Sequence, residues 1–279
     1  MKQRLSLVVV AASVFLALVL MVAVIGNVFT PYETTDQDLL NRLARPSPLG
    51  GAEQYPLGTD RIGRDMVARL IAGLQMSLSV ALAGTLIGAV FGTLIGFIAA
   101  HFRGLVEEAL MMVVDFQASL PFILIALTLL AFFGNSLTLF ILLMGLFGWE
   151  TYARLARGIV LSAASQPYAQ AVVSLGATPL RLYLRHVLPN VASALIVQLT
   201  LTFPQIILLE TSLSFLGLGI QPPLTSLGQI LGDGRDYLST AWWISVWPGL
   251  LIFTITLSMS ILGDALRDRL DPMLKQRTS

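Results

Sequence analysis

From Leu70 to Ala100 the chain carries no charged side chain, and within that run Gly84, Gly88, Gly92 and Gly96 recur at every fourth position. A helix rises about 1.5 Å per residue, so the run is longer than the ~30 Å hydrocarbon layer of a bilayer requires. The spacing sets four residues without side chains along one helical face, where a second helix can approach closely. Such a segment predicts a membrane span that packs against another.

Other runs repeat the pattern. Leu5 to Tyr32 is uncharged and follows Lys2 and Arg4, which leaves two readings, a retained first span or a cleaved signal peptide; the run is longer than a usual signal core and no small-x-small site follows it, favouring the span. Ala109 to Trp149 holds one charge, Asp115, and suits two spans divided at Phe133-Gly134-Asn135-Ser136, with Arg154 and Arg157 closing the second. A fifth span opens at Val191, passes Pro204 and Glu210, and breaks between Gly217 and Pro223; a sixth runs from about Trp242 to Leu262. With 56% hydrophobic and 12% charged residues and a mean hydropathy of +0.80, the whole is far more apolar than a soluble domain. The expected fold class is all-α, a polytopic membrane protein of six transmembrane helices.

Basic residues orient it. Placing the N-terminus in the cytoplasm leaves Lys2, Arg4, Arg103, Arg154, Arg157, Arg181, Arg185, Arg267, Arg269, Lys275 and Arg277 inside, against Arg42, Arg45, Arg61, Arg64, Arg69 and Arg235 outside, where acids outnumber them. Both termini and Arg181 are therefore expected inside, with Asp60 and Gln221 outside.

Several chemistries find no support. A net charge of +1 without a basic patch gives no sign of nucleic acid, and the lack of cysteine excludes disulfides and thiolate sites. His101 and His186 lie far apart in no metal-ligand spacing, so no metal is expected. No GxxxxGK[ST] or Gly-x-Ser-x-Gly occurs, so the chain is expected to be no enzyme and to bind no cofactor itself. Asp115 and Glu210 are the carboxylates inside spans. Such groups are costly there and default to functional hypotheses; either they line a pathway or they hydrogen-bond helices together, the second being preferred.

Two polar stretches stand out. Tyr55-Pro-Leu-Gly-Thr-Asp60-Arg-Ile-Gly-Arg-Asp65 lies in a segment broken by Pro31, Pro46, Pro48 and Pro56; Asp60, Arg61, Arg64 and Asp65 can pair locally, and on chemistry alone it reads as a self-satisfied surface loop. Ser165 to Asn190 reads as two short helices. Tyr168, Ala171, Val172 and Leu175 share one face of the first, which Ser165 can cap and Gly176 can end; Thr178 and Pro179 start the second, whose polar stripe holds Arg181 and Arg185. It is either an amphipathic surface on the lipid or a docking surface for a partner.

The order Gln170-Ala171-Val172, three residues, Gly176, then Leu188-Pro189 resembles the EAA loop of binding-protein-dependent ABC importer permeases, with Gln170 where that family has Glu and Val172 where it has its second Ala. Residues 55–65 are similar to the HPLGTDxxGRD signature of dipeptide, oligopeptide and nickel permeases, Tyr55 replacing His. VDFQASLP around Asp115, ETSLSFLGLG beginning at Glu210, Gln221-Pro-Pro223, Trp247-Pro-Gly249 and Gly263 to Pro272 continue the likeness, although Leu227 stands where Trp is usual.

The resemblance implies a type I ABC importer permease fold, as the C-type subunit of a heterodimer. Its implied partners are a second permease, two cytoplasmic ATPase subunits that carry ATP and Mg, and an external solute-binding protein, at a bacterial or archaeal inner membrane. ATPase contact would fall on Tyr168, Gln170, Ala171, Leu175, Gly176, Ala177 and Arg181. The organisation so expected is an anchor helix at 1–30, a periplasmic segment at 31–70, the transmembrane domain at 71–265 with its coupling segment at 158–190, and a tail at 266–279. Di- or oligopeptides are the first expected substrate, nickel chelates or another small solute the alternative. An autonomous proton-coupled carrier is the rival of another class.

Overall fold

The computed structural model describes residues 6–28, 30–164, 166, 185 and 188–270. The residues expected to contact an ATPase, Tyr168, Gln170, Ala171, Leu175, Gly176, Ala177 and Arg181, lie outside the described residues. Among those described, the regular elements are helices, with a single β-bridge between Thr59 and Asp65.

Helix α1, Leu7–Ile25, starts where the Ser6 hydroxyl accepts the Val9 N–H at 3.3 Å. Most of its surface is exposed apolar side chain, including Leu7, Val14 and Leu20, as a helix sheathed by lipid requires. Helix α2, Met66–Phe102, begins at the Asp65 carboxylate, which accepts the Ala68 N–H at 2.8 Å. Its 37 residues extend about 55 Å, well past a bilayer core.

Helices α3, Gly104–Ser119, and α4, Phe122–Phe133, are bent by 89° from one another. Pro121 explains the break: it has no N–H to continue the ladder, and it pushes Leu120 into extended conformation, with φ −94° and ψ 135°. Helices α5, Leu137–Gly145, and α6, Trp149–Ala164, follow one another across Gly148, at φ +78°. Helix α7 is Leu188–Phe215, the short α8 is Leu227–Asp233, and α9 is Trp243–Leu270.

Five stretches are long and apolar enough to cross a membrane, among them Leu137–Ala163, and the bent α3–α4 pair makes a sixth crossing when taken as one. The boundaries differ from expectation in two places. The third crossing begins at Gly104 and is broken at Leu120–Pro121. The fourth continues through Arg154 and Arg157 to Ala164, because α3 supplies acids that meet both arginines.

The core is built around α2, which packs on α1, α3, α5, α6, α7 and α8. The four glycines of the row, Gly84 to Gly96, are all buried. A Cβ placed on Gly84 would stand 2.7 Å from Met144 Cβ, one on Gly88 2.9 Å from the Gly145 carbonyl oxygen, and those on Gly92 and Gly96 2.8 Å from Tyr152 Cβ and Ala156 Cβ. The row is therefore a backbone-to-backbone seam with α5 and α6, where any side chain collides.

Candidate functional site

The polar side chains gather in three places. At the α8 end of the molecule, the loop before α2 is held by an ion-pair network. The Asp60 carboxylate accepts the Ile62 and Arg64 N–H groups at 3.0 and 2.8 Å, the Arg64 Nε at 2.7 Å and the Arg69 Nη1 at 2.8 Å. Arg69 is 1% exposed and its Nη2 donates to Asp233 at the end of α8, at 2.9 Å. Trp243 Nε1 donates to the Thr59 carbonyl at 3.0 Å and Trp247 Nε1 to the Leu57 carbonyl at 3.3 Å, so α9 grips the same loop.

This corrects the reading of residues 55–65 as a self-satisfied surface loop. Asp60 does pair locally with Arg64, but it is 1% exposed, and the loop is completed by residues 38–44 and by α8 and α9. Asp65 is spent on capping α2 rather than on a cation, and burial pushes its carboxyl up from the usual range. Tyr55 packs against Tyr32 with ring centroids 5.5 Å apart and donates to Asp38 at 3.1 Å. Burial first, and the Asp38 partner second, push its phenol up to about 12, while Asn41 and Tyr55 draw the Asp38 carboxyl down.

Within the membrane, Glu210 of α7 is fully buried. Its Oε2 accepts from Ser77 of α2 at 3.0 Å and its Oε1 from Ser214 at 2.7 Å. Ser77 Oγ also accepts the Leu227 N–H at 3.1 Å, and Ser226, the cap of α8, lies 3.4 Å from the Ser214 hydroxyl. One carboxylate thus ties α2, α7 and α8 through hydroxyl groups.

Asp115 is placed differently. It sits on α3 with its side chain 68% exposed, and its Oδ1 accepts from Arg154 of α6 at 3.2 Å. Glu107 and Arg157 make a second rung at 2.5 Å. Arg154, which the sequence reads as closing a span, is thus the partner of Asp115. Asp115 and Glu210 do not share a site. Sequence reasoning also missed Arg69 and Asp233; they are 164 residues apart, and no local pattern joins them.

Three comparisons bear on this arrangement. Residues 92–276 match the family described as binding-protein-dependent transport system inner membrane component. The chain is similar to a protein named di/tripeptide transport system permease protein DppC of Pseudomonas aeruginosa, 37% identical over 94% of this chain and 86% of that one. It is likewise similar to the dipeptide transport system permease proteins DppC of Escherichia coli K12, 38% identical over 96% and 89%, and of Bacillus subtilis, 36% identical over 95% and 82%. Among solved structures, a chain of the inward-facing MetNI methionine ABC transporter superposes with a TM-score of 0.56 at 20% identity, over 74% of this chain and 98% of that one. A chain of an amino acid ABC transporter with histidines gives 0.53 at 17%, over 71% and 92%; both likenesses speak to the fold.

Proposed function

The chain belongs to the family of binding-protein-dependent transport system inner membrane components, the non-catalytic, multi-pass permease subunits of ABC importers, and on that premise we propose that it forms half of the translocation path of an importer of di- or oligopeptides. The observation that carries the substrate is the 37–38% identity, sustained over 94–96% of this chain, to permeases named for dipeptides and tripeptides.

In this reading the chain pairs with a second permease, takes cargo from an external solute-binding protein, and rests on two cytoplasmic ATPases that hold ATP and Mg. The coupling segment 158–190 receives ATPase motion, with Tyr168, Gln170, Ala171, Leu175, Gly176, Ala177 and Arg181 as its contact residues. Both termini face the cytoplasm. The rigid elements support such transmission: α6 leads directly into the segment, α7 leads out of it, and both are fastened to α2, α6 by the glycine seam and α7 by the Glu210 bonds.

Reconstitution of the four membrane and ATPase subunits in proteoliposomes, with the binding protein outside, tests it. ATP-dependent uptake of labelled dialanine is expected, and none under a proton gradient without ATPases. Uptake by this chain alone under a pH gradient would instead make it a carrier, and ATP-dependent uptake of nickel chelates with no peptide uptake would replace the cargo.

A further inference from the structure

Two spanning helices turn long apolar rows outward: Leu82, Leu86, Val90 and Leu94 on α2, and Val246, Leu250, Phe253 and Leu257 on α9. Lipid tails ask for such surfaces. The outward side of α7 differs in being mixed, with polar side chains beside the exposed Ile196 and Leu208. Gln198, Gln205 and Ser212 fall seven residues apart, two helical turns, and so lie one above another. Gln205 and Ser212 are exposed. Gln198 is half-buried and lines, with Leu155, Ser193 and Arg267, a groove of about 390 Å³ between α6, α7 and α9.

The three side chains are unequally satisfied. The Ser212 hydroxyl donates to the Leu208 carbonyl at 2.7 Å, and Gln198 Nε2 donates to the Thr202 hydroxyl at 3.1 Å. Gln205 has no hydrogen-bond partner among the described residues. It follows Pro204, which has no N–H to offer the Thr200 carbonyl one turn back. A carboxamide with neither partner nor water is disfavoured in hydrocarbon, so this face of a spanning helix looks onto water or onto other polar groups.

We propose that this face of α7 is the chain's wall of the translocation path, and that Gln198, Gln205 and Ser212 are successive hydrogen-bonding rungs for the main chain of a peptide. A carboxamide presents one acceptor and a donor group, the same pair that a peptide unit presents, and it carries no charge to select among side chains. Rungs seven residues apart on a helix are about 10.5 Å apart, the reach of about three extended residues. A tripeptide can therefore engage one rung before it has left the previous one, whereas a dipeptide passes from rung to rung. The inference rests on the peptide-importer reading of the preceding section.

The chain has no cysteine, so a single thiol can be placed without background. In the reconstituted assembly, with the other subunits made cysteine-free, a Gln205→Cys variant is treated with a membrane-impermeant quaternary-ammonium thiosulfonate beside a Leu94→Cys control. Modification at 205 should be at least about tenfold faster than at 94, and Gln205→Leu should cut dialanine uptake about fivefold at unchanged assembly, the loss expected for a single hydrogen bond. Gln205→Asn should restore most of the uptake. If the assembly takes up dialanine while position 205 reacts no faster than position 94, with and without trapped nucleotide, or while Gln205→Leu transports normally, the rungs are overturned and the parent reading stands. An assembly that takes up no peptide removes the parent reading, whatever position 205 does.

Discussion

Arg69 Nη2 meets Asp233 Oδ2 at 2.9 Å, joining the first turn of α2 to the last residue of α8 across 164 positions of sequence. The same guanidinium holds Asp60 at 2.8 Å, so one buried cation fastens the loop before α2 and the short helix before α9 to a single point. Removing one partner of a buried pair leaves the other charge uncompensated, which costs about 3–5 kcal/mol. Asp60 is the more enclosed of the two carboxylates, with its side chain 1% exposed against 27% for Asp233.

The expected outcome is that Asp60→Ala lowers the melting temperature of the purified permease pair far more than Asp233→Ala, the first by the full buried-pair cost and the second by about 1–2 kcal/mol, since water can reach the vacated side. Scanning calorimetry or a fluorescence melt checks it. Equal shifts would mean that the network's centre lies elsewhere than on Arg69 and Asp60.

The glycine row gives a second prediction. A Cβ on Gly92 runs into the Trp149 carbonyl oxygen and comes within 2.8 Å of Tyr152 Cβ, and neither atom belongs to a flexible side-chain end. Gly92→Leu should therefore separate α2 from α6 and destabilise the chain by about 3 kcal/mol or more. Leu86→Val, on the exposed side of the same helix, should change little. Yield and monodispersity after detergent extraction report both. Because the seam is internal to this chain, the Gly92→Leu defect should appear before any partner is added, and a variant that folds alone but fails only in pairing would place the seam wrongly.

What could be read from the sequence follows physical range. Apolar runs declare spans because the bilayer imposes length and polarity locally, and a four-residue glycine row declares a contact face because helical geometry fixes where its residues point. Pro121 held the signal for the α3–α4 break, since a proline forces the residue before it out of helix, but the apolar run around it masked the bend. Arg154 and Arg157 were legible as charges and not as partners, because Asp115 and Glu107 reach them from another helix. Glu210 and the loop at Asp60 share this feature: the residues stand out locally, whereas what they touch depends on the packing of distant segments.

Orientation is a third prediction, and the structure changes how to test it. In the proposed orientation the loop before α2 and the turn around Gln221 face outside. A thiol at Asp60 would be a poor reporter, since that residue is buried and paired, whereas Arg61 and Gln221 are exposed. Arg61→Cys and Gln221→Cys should be modified by an impermeant maleimide in spheroplasts or intact cells, and Arg181→Cys only after permeabilisation. Modification of position 181 in sealed cells would invert the topology.

The last prediction concerns Gly176, in the proposed coupling segment and outside the described residues. The expectation comes from sequence: Gly176 follows the apolar positions Tyr168, Ala171, Val172 and Leu175 and stands at the glycine of the EAA-loop resemblance, a position expected to end a helix. The described structure contributes the flanks. Helix α6 arrives at Ala164 locked to α2 by the glycine seam, and α7 departs from Leu188 toward Glu210, which holds α2 and α8. A change confined to Gly176 should therefore leave those spans assembled while spoiling a close backbone approach to an ATPase. Gly176→Arg is expected to reach normal membrane levels and to pair with the second permease. It should lose most peptide uptake, and ATP hydrolysis by the assembly should no longer rise when loaded binding protein is added. A lipid-surface helix predicts the opposite, because an added arginine is favourable near an anionic leaflet. Uptake by Gly176→Arg near the wild-type rate, measured in proteoliposomes with loaded binding protein, would take the coupling role away from this segment.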